Sequence, residues 1–262
     1  MSVRRIEGYD QLTPLLSAQM KRGMVTNALL SGGDLRREIA AGALWVHEWD
    51  GGLLLLRRRE AGWRMNFYLR DMDRPSGFRP DGPVASEVAL RPRDTNLSRA
   101  IDFWQSEGFS ILFRRKRLAL PPGARAQAGP FPVRASRPGD RAQVREILTA
   151  CFDPLTGCCP DDAGLERALA EGRFLLALAP DGAAAGLLHI QPERQGTQLR
   201  HLAVAEPFRG QGAAQSLLAA YLERTEGRSQ VWVREDNHPA CRFYEKNGYR
   251  PDEWTSAVLR RL

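Results

Sequence analysis

No apolar run in this chain of 262 residues approaches the length of a membrane span, so a membrane-crossing helix is not expected. The opening segment Met1–Asp10 lacks the apolar centre of a signal peptide, which points to a cytoplasmic protein. Cysteine is scarce, limited to Cys151, Cys158, Cys159 and Cys241. None of these form paired Cys-x-x-Cys knuckles, and the adjacent Cys158 and Cys159 are badly placed to chelate one ion. No metal is expected, and reduced, structural thiols are the natural reading. Lysine is nearly absent (Lys21, Lys116 and Lys246), so the net charge of +7 is carried by arginine. Hydrophobic residues at 43% and charged residues at 26% exclude a disordered chain and leave an ordinary globular one, long enough for two modest domains.

The positive excess is confined to the first half. Residues 1–130 hold 21 Lys and Arg against 14 Asp and Glu, whereas residues 131–262 hold 17 of each. Arg57-Arg58-Arg59 and Arg114-Arg115-Lys116-Arg117 are the dense clusters. Such clusters could dock an acidic partner, RNA included. Both also end apolar runs, Leu53–Leu56 and Ile111–Phe113, where alternating charges would point to solvent, and this second reading is preferred.

Residues 202–218 carry the most information. Leu202 and Val204 share one side of an extended run that Pro207 stops. Arg209-Gly210-Gln211-Gly212-Ala213-Ala214 then supplies small residues where a helix would start, and Ala214, Leu217, Leu218, Tyr221 and Leu222 come after it at helical spacing. A helix start has amides without intrahelical partners and partial positive charge, and glycines let a polyanion approach that backbone. The physical reading is a pyrophosphate seat, although a plain strand-to-helix turn with two glycines looks similar in isolation. Further on, Gln230–Asp236 reads as a short strand, and Asn237–Tyr249 as a helix opened by Pro239 and closed by Gly248.

These two stretches, in this order and spacing, strongly resemble the GNAT superfamily of N-acetyltransferases. Arg209-x-x-Gly212-x-Ala214 is similar to the family's acyl-CoA pyrophosphate motif. Asn237-x-x-Ala240-x-x-Phe243-Tyr244-x-x-x-Gly248-Tyr249 resembles the helix that closes over the cofactor. The resemblance covers roughly residues 131–262. It implies an acetyl-CoA co-substrate whose phosphates are held by the amides of Arg209, Gly210, Gln211, Gly212, Ala213 and Ala214. It implies a pantetheine arm paired to Leu202, Ala203 and Val204 as if to a neighbouring strand, and a backbone oxyanion donor at Leu202 or its neighbours. It implies Tyr244 as the acid that protonates the leaving thiolate, and Asn237 as the residue that holds the arm and the helix start. The family often places a glutamate on the strand before the loop. Here Thr197-Gln-Leu-Arg-His201 has none, so the general base stays open among His201, His189, a water relay and no dedicated base.

Pro121–Pro130, rich in Pro, Gly and Ala, reads as a linker between two periodic halves. Helices are expected near 10–22, 34–41 and 96–107. Strands are expected near 43–49, 53–59, 63–69, 84–91 and from Phe109, with Asp50-Gly51-Gly52 as a hairpin turn. In the second half Val133–Ser136 reads as a strand, and Asp140 as the cap of a helix to about Cys151. Another helix is expected near 161–171, and then strands at Arg173–Ala179, Ala183–Gln191 and Gln198–Ala205. Ala100–Phe109 echoes Ala240–Tyr249, which suggests that the first half is GNAT-like as well. It has no phosphate loop, and Trp104 stands where the second half has tyrosine.

The expected architecture is therefore α/β (an α+β mixed sheet) with tandem GNAT-like lobes. Residues 1–120 would form a degenerate lobe, 121–130 a linker and 131–262 the catalytic domain. The expected reaction is direct acetyl transfer to a primary amine in a ternary complex. The expected partner is a small-molecule or peptide amine, with no membrane and no nucleic acid, and a homodimer stays open. The rival readings are a non-catalytic CoA-binding sensor or scaffold, and an aminoacyl-tRNA-dependent acyltransferase.

Overall fold

The computed structural model describes residues 3–194 and 196–262, and the chain divides into two compact units. The first comprises Met1–Arg115 with Glu253–Leu262, and the second comprises Lys116–Asp252. This division differs from the boundary that composition suggested at 121–130, because the last strand of the chain is counted with the first unit. Pairing partners, not Pro and Gly content, decide which compact body a strand joins.

The first unit contains β1 (Arg4–Arg5), α1 (Tyr9–Gln19), β2 (Val25–Thr26), α2 (Gly32–Ala40), β3 (Leu44–Trp49), β4 (Gly52–Arg59), β5 (Gly62–Leu69), β6 (Val84–Leu90), α3 (Thr95–Ser106) and the start of β7 (Ser110–Leu120). β3, β4 and β5 form an antiparallel meander, and Trp49 pairs with Gly52 across the predicted hairpin turn. A side chain at Gly51 would meet the Asp71 carbonyl at 2.6 Å, so the turn admits only glycine there. Leu53 and Leu55 pack under α1 and α2, while Leu54 and Leu56 pack under α3. The period of two thus buries both faces of one strand, and each such leucine contributes about 2 kcal/mol of hydrophobic stabilisation. α2 begins with a capping box in which Ser31 accepts from the Asp34 amide and Asp34 accepts from the Ser31 amide.

The second unit contains the end of β7, then β8 (Val133–Ala135), α4 (Arg141–Cys151), α5 (Asp162–Ala170), β9 (Phe174–Leu178), β10 (Ala184–Glu193), β11 (Gly196–Val204), α6 (Ala213–Arg224), β12 (Arg228–Arg234), α7 (His238–Lys246) and the first residues of β13 (Arg250–Arg261). β8 to β11 are antiparallel neighbours, and β11 runs parallel to β12, as a strand–helix–strand crossover requires. Phe174, Leu176 and Leu187 face α4 and α5, and Leu175, Ala177 and Leu188 face α6 and α7. Asp140 departs from expectation. It makes no capping bond to α4, because its carboxylate is taken by the Arg134 guanidinium at 2.7 and 2.8 Å and by the Arg137 amide at 2.6 Å. That pairing holds the Asp140 carboxyl below the usual range.

Glu253–Leu262, the body of β13, returns to the first unit and pairs antiparallel with β6, from Thr255 opposite Leu90 to Arg261 opposite Val84. The sequence echo has a backbone counterpart. Gly108 and Gly248 have φ of +91° and +90°. Phe109 N–H donates to the Trp104 carbonyl at 3.0 Å, and Tyr249 N–H donates to the Tyr244 carbonyl at 3.1 Å. The same left-handed helix stop therefore ends α3 and α7.

Candidate functional site

β11 and β12 stay in register only from Gly196 opposite Arg228 to Leu199 opposite Val231, although β11 continues to Val204 and β12 to Arg234. The register of β11 against β10 also breaks just there. His189 pairs with His201 and Ile190 with Leu199, which leaves Arg200 as an extra residue. Such a bulge bends the strand and re-aims the residues beyond it. Ala205 N–H donates to the Ala185 carbonyl of β10 at 2.9 Å. Strand alternation therefore turns the Ala203 amide toward β10 and the Leu202 and Val204 amides toward the diverging side. Of the three strand residues read from sequence, Leu202 and Val204 present backbone donors there and Ala203 does not.

The base of the divergence is held by hydroxyl groups. Thr197 of β11 lies 2.7 Å from the Tyr221 hydroxyl, which lies 2.8 Å from Ser229 of β12, which lies 2.6 Å from the Tyr249 hydroxyl. Burial pushes the Tyr249 phenol up, so it stays a neutral donor and acceptor in this chain of hydroxyls.

A short turn at Glu206–Phe208 leads from β11 into the glycine loop. Gly210 has φ +77° with open space where a side chain would stand, and Gly212 caps α6 in the left-handed conformation at φ +91° and ψ 4°. A Cβ on Gly212 would lie 2.7 Å from Pro130 Cδ, so both conformation and space demand glycine. Gln211 is pinned by its side-chain amide, which donates to the Pro207 carbonyl at 2.7 Å. Ala213 and Ala214 form the first turn of α6, where amides lack intrahelical acceptors. The sequence reading missed Gln215 and Asn247. Gln215 Nε2 donates to Asn247 Oδ1 at 3.0 Å and Asn247 Nδ2 returns the bond at 3.3 Å, tying the start of α6 to the end of α7. Neither residue carries a motif signal of its own.

Asn237 caps α7 by accepting the Ala240 amide at 3.2 Å, while Ala240 packs on the core face shared with α6. Tyr244 is 5% exposed, edge-on to Phe243 and Tyr249. Burial, with Tyr249 and Tyr221 nearby, pushes its phenol well above the usual tyrosine range, so it keeps its proton at neutral pH.

His201 is 2% exposed. Its Nε2 lies 2.9 Å from the Gly157 carbonyl and its Nδ1 lies 3.1 Å from His189 Nδ1. A carbonyl only accepts, so the proton sits on His201 Nε2 and His189 Nδ1–H donates to His201 Nδ1. In this arrangement His201 has no nitrogen left to take a proton from an amine. His189 stacks on Phe174, and burial, then His201, Arg200 and Arg173, push its pKa down to about 3. The pair instead anchors the loop after α4, in which Cys158 has φ +58°.

In the first unit β5 and β6 also run parallel only briefly, at Trp63 opposite Val84 and Arg64 opposite Ala85. Beyond that point Asn27 bridges them. Its Oδ1 accepts the Phe67 amide of β5 at 2.8 Å, and its Nδ2 donates to Ser86 Oγ and to the Glu87 carbonyl of β6, each at 2.9 Å. Four of the dense arginines of this half are internally paired: Arg57 and Arg59 with Glu38, Arg58 with Asp81, and Arg115 with Glu87. In the second unit Lys116 pairs with Glu245, and Arg117 with Asp252. Among the described residues no helix is long and apolar enough to cross a membrane, and no group of three or more His, Cys, Asp or Glu could hold a metal ion.

Residues 141–249 match the model of the acetyltransferase (GNAT) family. No curated protein matches in sequence. Among solved structures, a GCN5-related N-acetyltransferase from Sphaerobacter thermophilus is 17% identical, with TM-score 0.57 over 99% of this chain and 95% of that one. A GNAT-family acetyltransferase from Colwellia psychrerythraea is 13% identical, with TM-score 0.55 over 99% and 98%. A GCN5-related N-acetyltransferase from Kribbella flavida is 15% identical, with TM-score 0.53 over 89% and 96%. At these identities the likeness is one of fold, and it extends along the chain well beyond the matched segment. With its bulged β11, its glycine-capped α6 and its tyrosine on α7, the stretch 141–249 is a domain of the GNAT acetyltransferase family.

Proposed function

We propose that the second unit transfers an acetyl group from acetyl-CoA to a primary amine by direct attack in a ternary complex. One observation carries this reading. β11 and β12 part at the bulge, and the backbone donors exposed there lead straight to a helix start capped by a left-handed glycine. An extended chain with its own amides and a diphosphate at one end fits that path. The amides of Gly210, Gly212, Ala213 and Ala214 would hold the diphosphate, and Leu202 and Val204 would pair with the arm. The Arg209 and Gln211 amides, read from sequence as part of the seat, instead donate to the Glu206 and Phe208 carbonyls at 3.2 and 3.4 Å.

Acetyl-CoA, when bound, supplies a thioester carbonyl open to attack. The chain's part is then positional and electrostatic. The Leu202 amide would meet the oxyanion, a contact of a kind worth about a hundredfold or more in kcat. Tyr244, kept protonated by burial, would deliver the proton to the departing thiolate. We assign removal of the amine proton to water, because both His201 nitrogens are engaged and 197–201 holds no carboxylate. The first unit would bind no CoA, because Asn27 occupies the equivalent divergence of β5 and β6. We place the enzyme in the cytoplasm, with a small-molecule or peptide amine as partner. The ion pairs of its arginine clusters speak against nucleic acid.

The test is thiol release from acetyl-CoA across a set of amines. Amine-dependent release supports the reading. CoA binding without release on any amine favours the alternative of a non-catalytic CoA-binding module, for which the missing carboxylate is the argument.

A further inference from the structure

Segment 127–131, which spans the end of the 121–130 stretch that composition marks as a linker, lies in atomic contact with the first turn of α6. A Cβ on Gly129 would sit 2.4 Å from Ser216 Oγ, 2.6 Å from the Gly212 carbonyl and 2.7 Å from the Ser216 amide. Those last two atoms make the first hydrogen bond of α6, Ser216 N–H to Gly212 O at 3.0 Å. On one side Gln215 Nε2 donates to the Gln127 carbonyl at 2.8 Å. On the other Phe131 N–H donates to Ser216 Oγ at 3.0 Å, and the Phe131 ring meets Phe208 edge-on at 6.2 Å. Pro130 closes the space beside Gly212. The loop before α6 and the helix start are thus backed by a strap whose closest point has no side chain.

We propose that segment 127–131 sets the geometry of the diphosphate seat, with Gly129 as its positioning residue. The inference rests on the reading of α6 as that seat. The amides of Gly212 to Ala214 aim where the first turn of the helix aims, and that turn cannot shift without breaking the contacts with Gln127, Gly129 and Phe131. Any side chain at 129 must push either the strap or the Gly212–Ser216 turn, and a displacement of about 1 Å is enough to spoil an array of amide donors.

The experiment is calorimetric titration of the full chain with CoA, and with pantetheine, which lacks the diphosphate. Gly129→Val should weaken CoA at least tenfold while the affinity for pantetheine changes less than twofold, a split that general loss of structure does not produce. Gly139→Ala, at a glycine with open space around it, is the control and should leave both unchanged. In the unaltered chain, amide exchange across 127–131 should slow when CoA is added. If Gly129→Val does not fold, Gln215→Ala, which releases the Gln127 carbonyl, should weaken CoA at least threefold. CoA affinity within twofold of the unaltered chain in a folded Gly129→Val, or in Gln215→Ala where that variant must serve, overturns the inference alone. Absence of CoA binding by the unaltered chain overturns the functional reading and the inference with it.

Discussion

His189 Nδ1 donates to His201 Nδ1 across 3.1 Å, and His201 directs its own Nε2 proton to the Gly157 carbonyl at 2.9 Å. This chain of bonds joins β10, β11 and the loop after α4, and it makes His201 a structural group. His201→Ala leaves a buried donor and a buried acceptor without partners, at a cost of about 2 kcal/mol in unfolding free energy. Urea denaturation checks the loss, and CoA affinity should be preserved. Unchanged stability together with loss of the acidic limb of the pH–rate profile would return His201 to the role of base.

His189 makes the same region sensitive to acid. Its pKa is about 3 when folded and near the ordinary 6.5 when unfolded. Between those values the unfolded chain binds the extra proton, so this histidine's contribution to stability is complete above about pH 6.5 and declines as pH falls. The slope from one such group is up to about 1.4 kcal/mol per pH unit. The groups around it, His201, Arg200 and Arg173, all disfavour its protonation. His189→Gln should flatten the stability–pH curve in that window, as measured by chemical denaturation at a series of pH values.

Tyr244→Phe keeps the ring in its place against Phe243 and Tyr249 and removes only the hydroxyl. Turnover should fall about a hundredfold with CoA affinity unchanged, the pattern of a lost proton donor. Steady-state kinetics beside direct CoA titration separates the two quantities. Unaltered turnover removes Tyr244 from the chemistry.

Asn27 should matter to stability and not to cofactor binding. Asn27→Ala deletes three hydrogen bonds that join β5 to β6, and should lower unfolding free energy by about 2–3 kcal/mol. The number of CoA molecules bound per chain should stay the same, which calorimetry on the variant checks.

How much of the fold is legible in sequence depends on how local each signal is. The glycine loop, α6, β12 and α7 are set by residues within about fifty positions, through turn conformation, helical spacing and caps, and they are legible. The echo between Phe103-Trp104 and Phe243-Tyr244 is legible because the same helix stop needs the same glycine. The partner of β13 is not, since a basic strand at 250–261 carries no mark that it will pair with β6 rather than with its own half. Nor is the role of Asn27, whose bonds reach Phe67 and Glu87 with no motif around it. Asp140 reads as a helix cap and is not one, because a nearby guanidinium, that of Arg134, competes for the same carboxylate. The histidines are visible as titratable groups, but their mutual hydrogen bond depends on a strand register that only the fold supplies.

The central claim is that the left-handed cap at Gly212 and the amides after it hold the diphosphate of CoA in one of the two units. Isothermal titration of the full chain and of Gly212→Val with CoA tests it most directly. The expected result is one CoA bound per chain and no measurable heat with the variant, since a valine there has neither the conformation nor the space. No heat with the unaltered chain, two CoA per chain, or undiminished binding by Gly212→Val would contradict it.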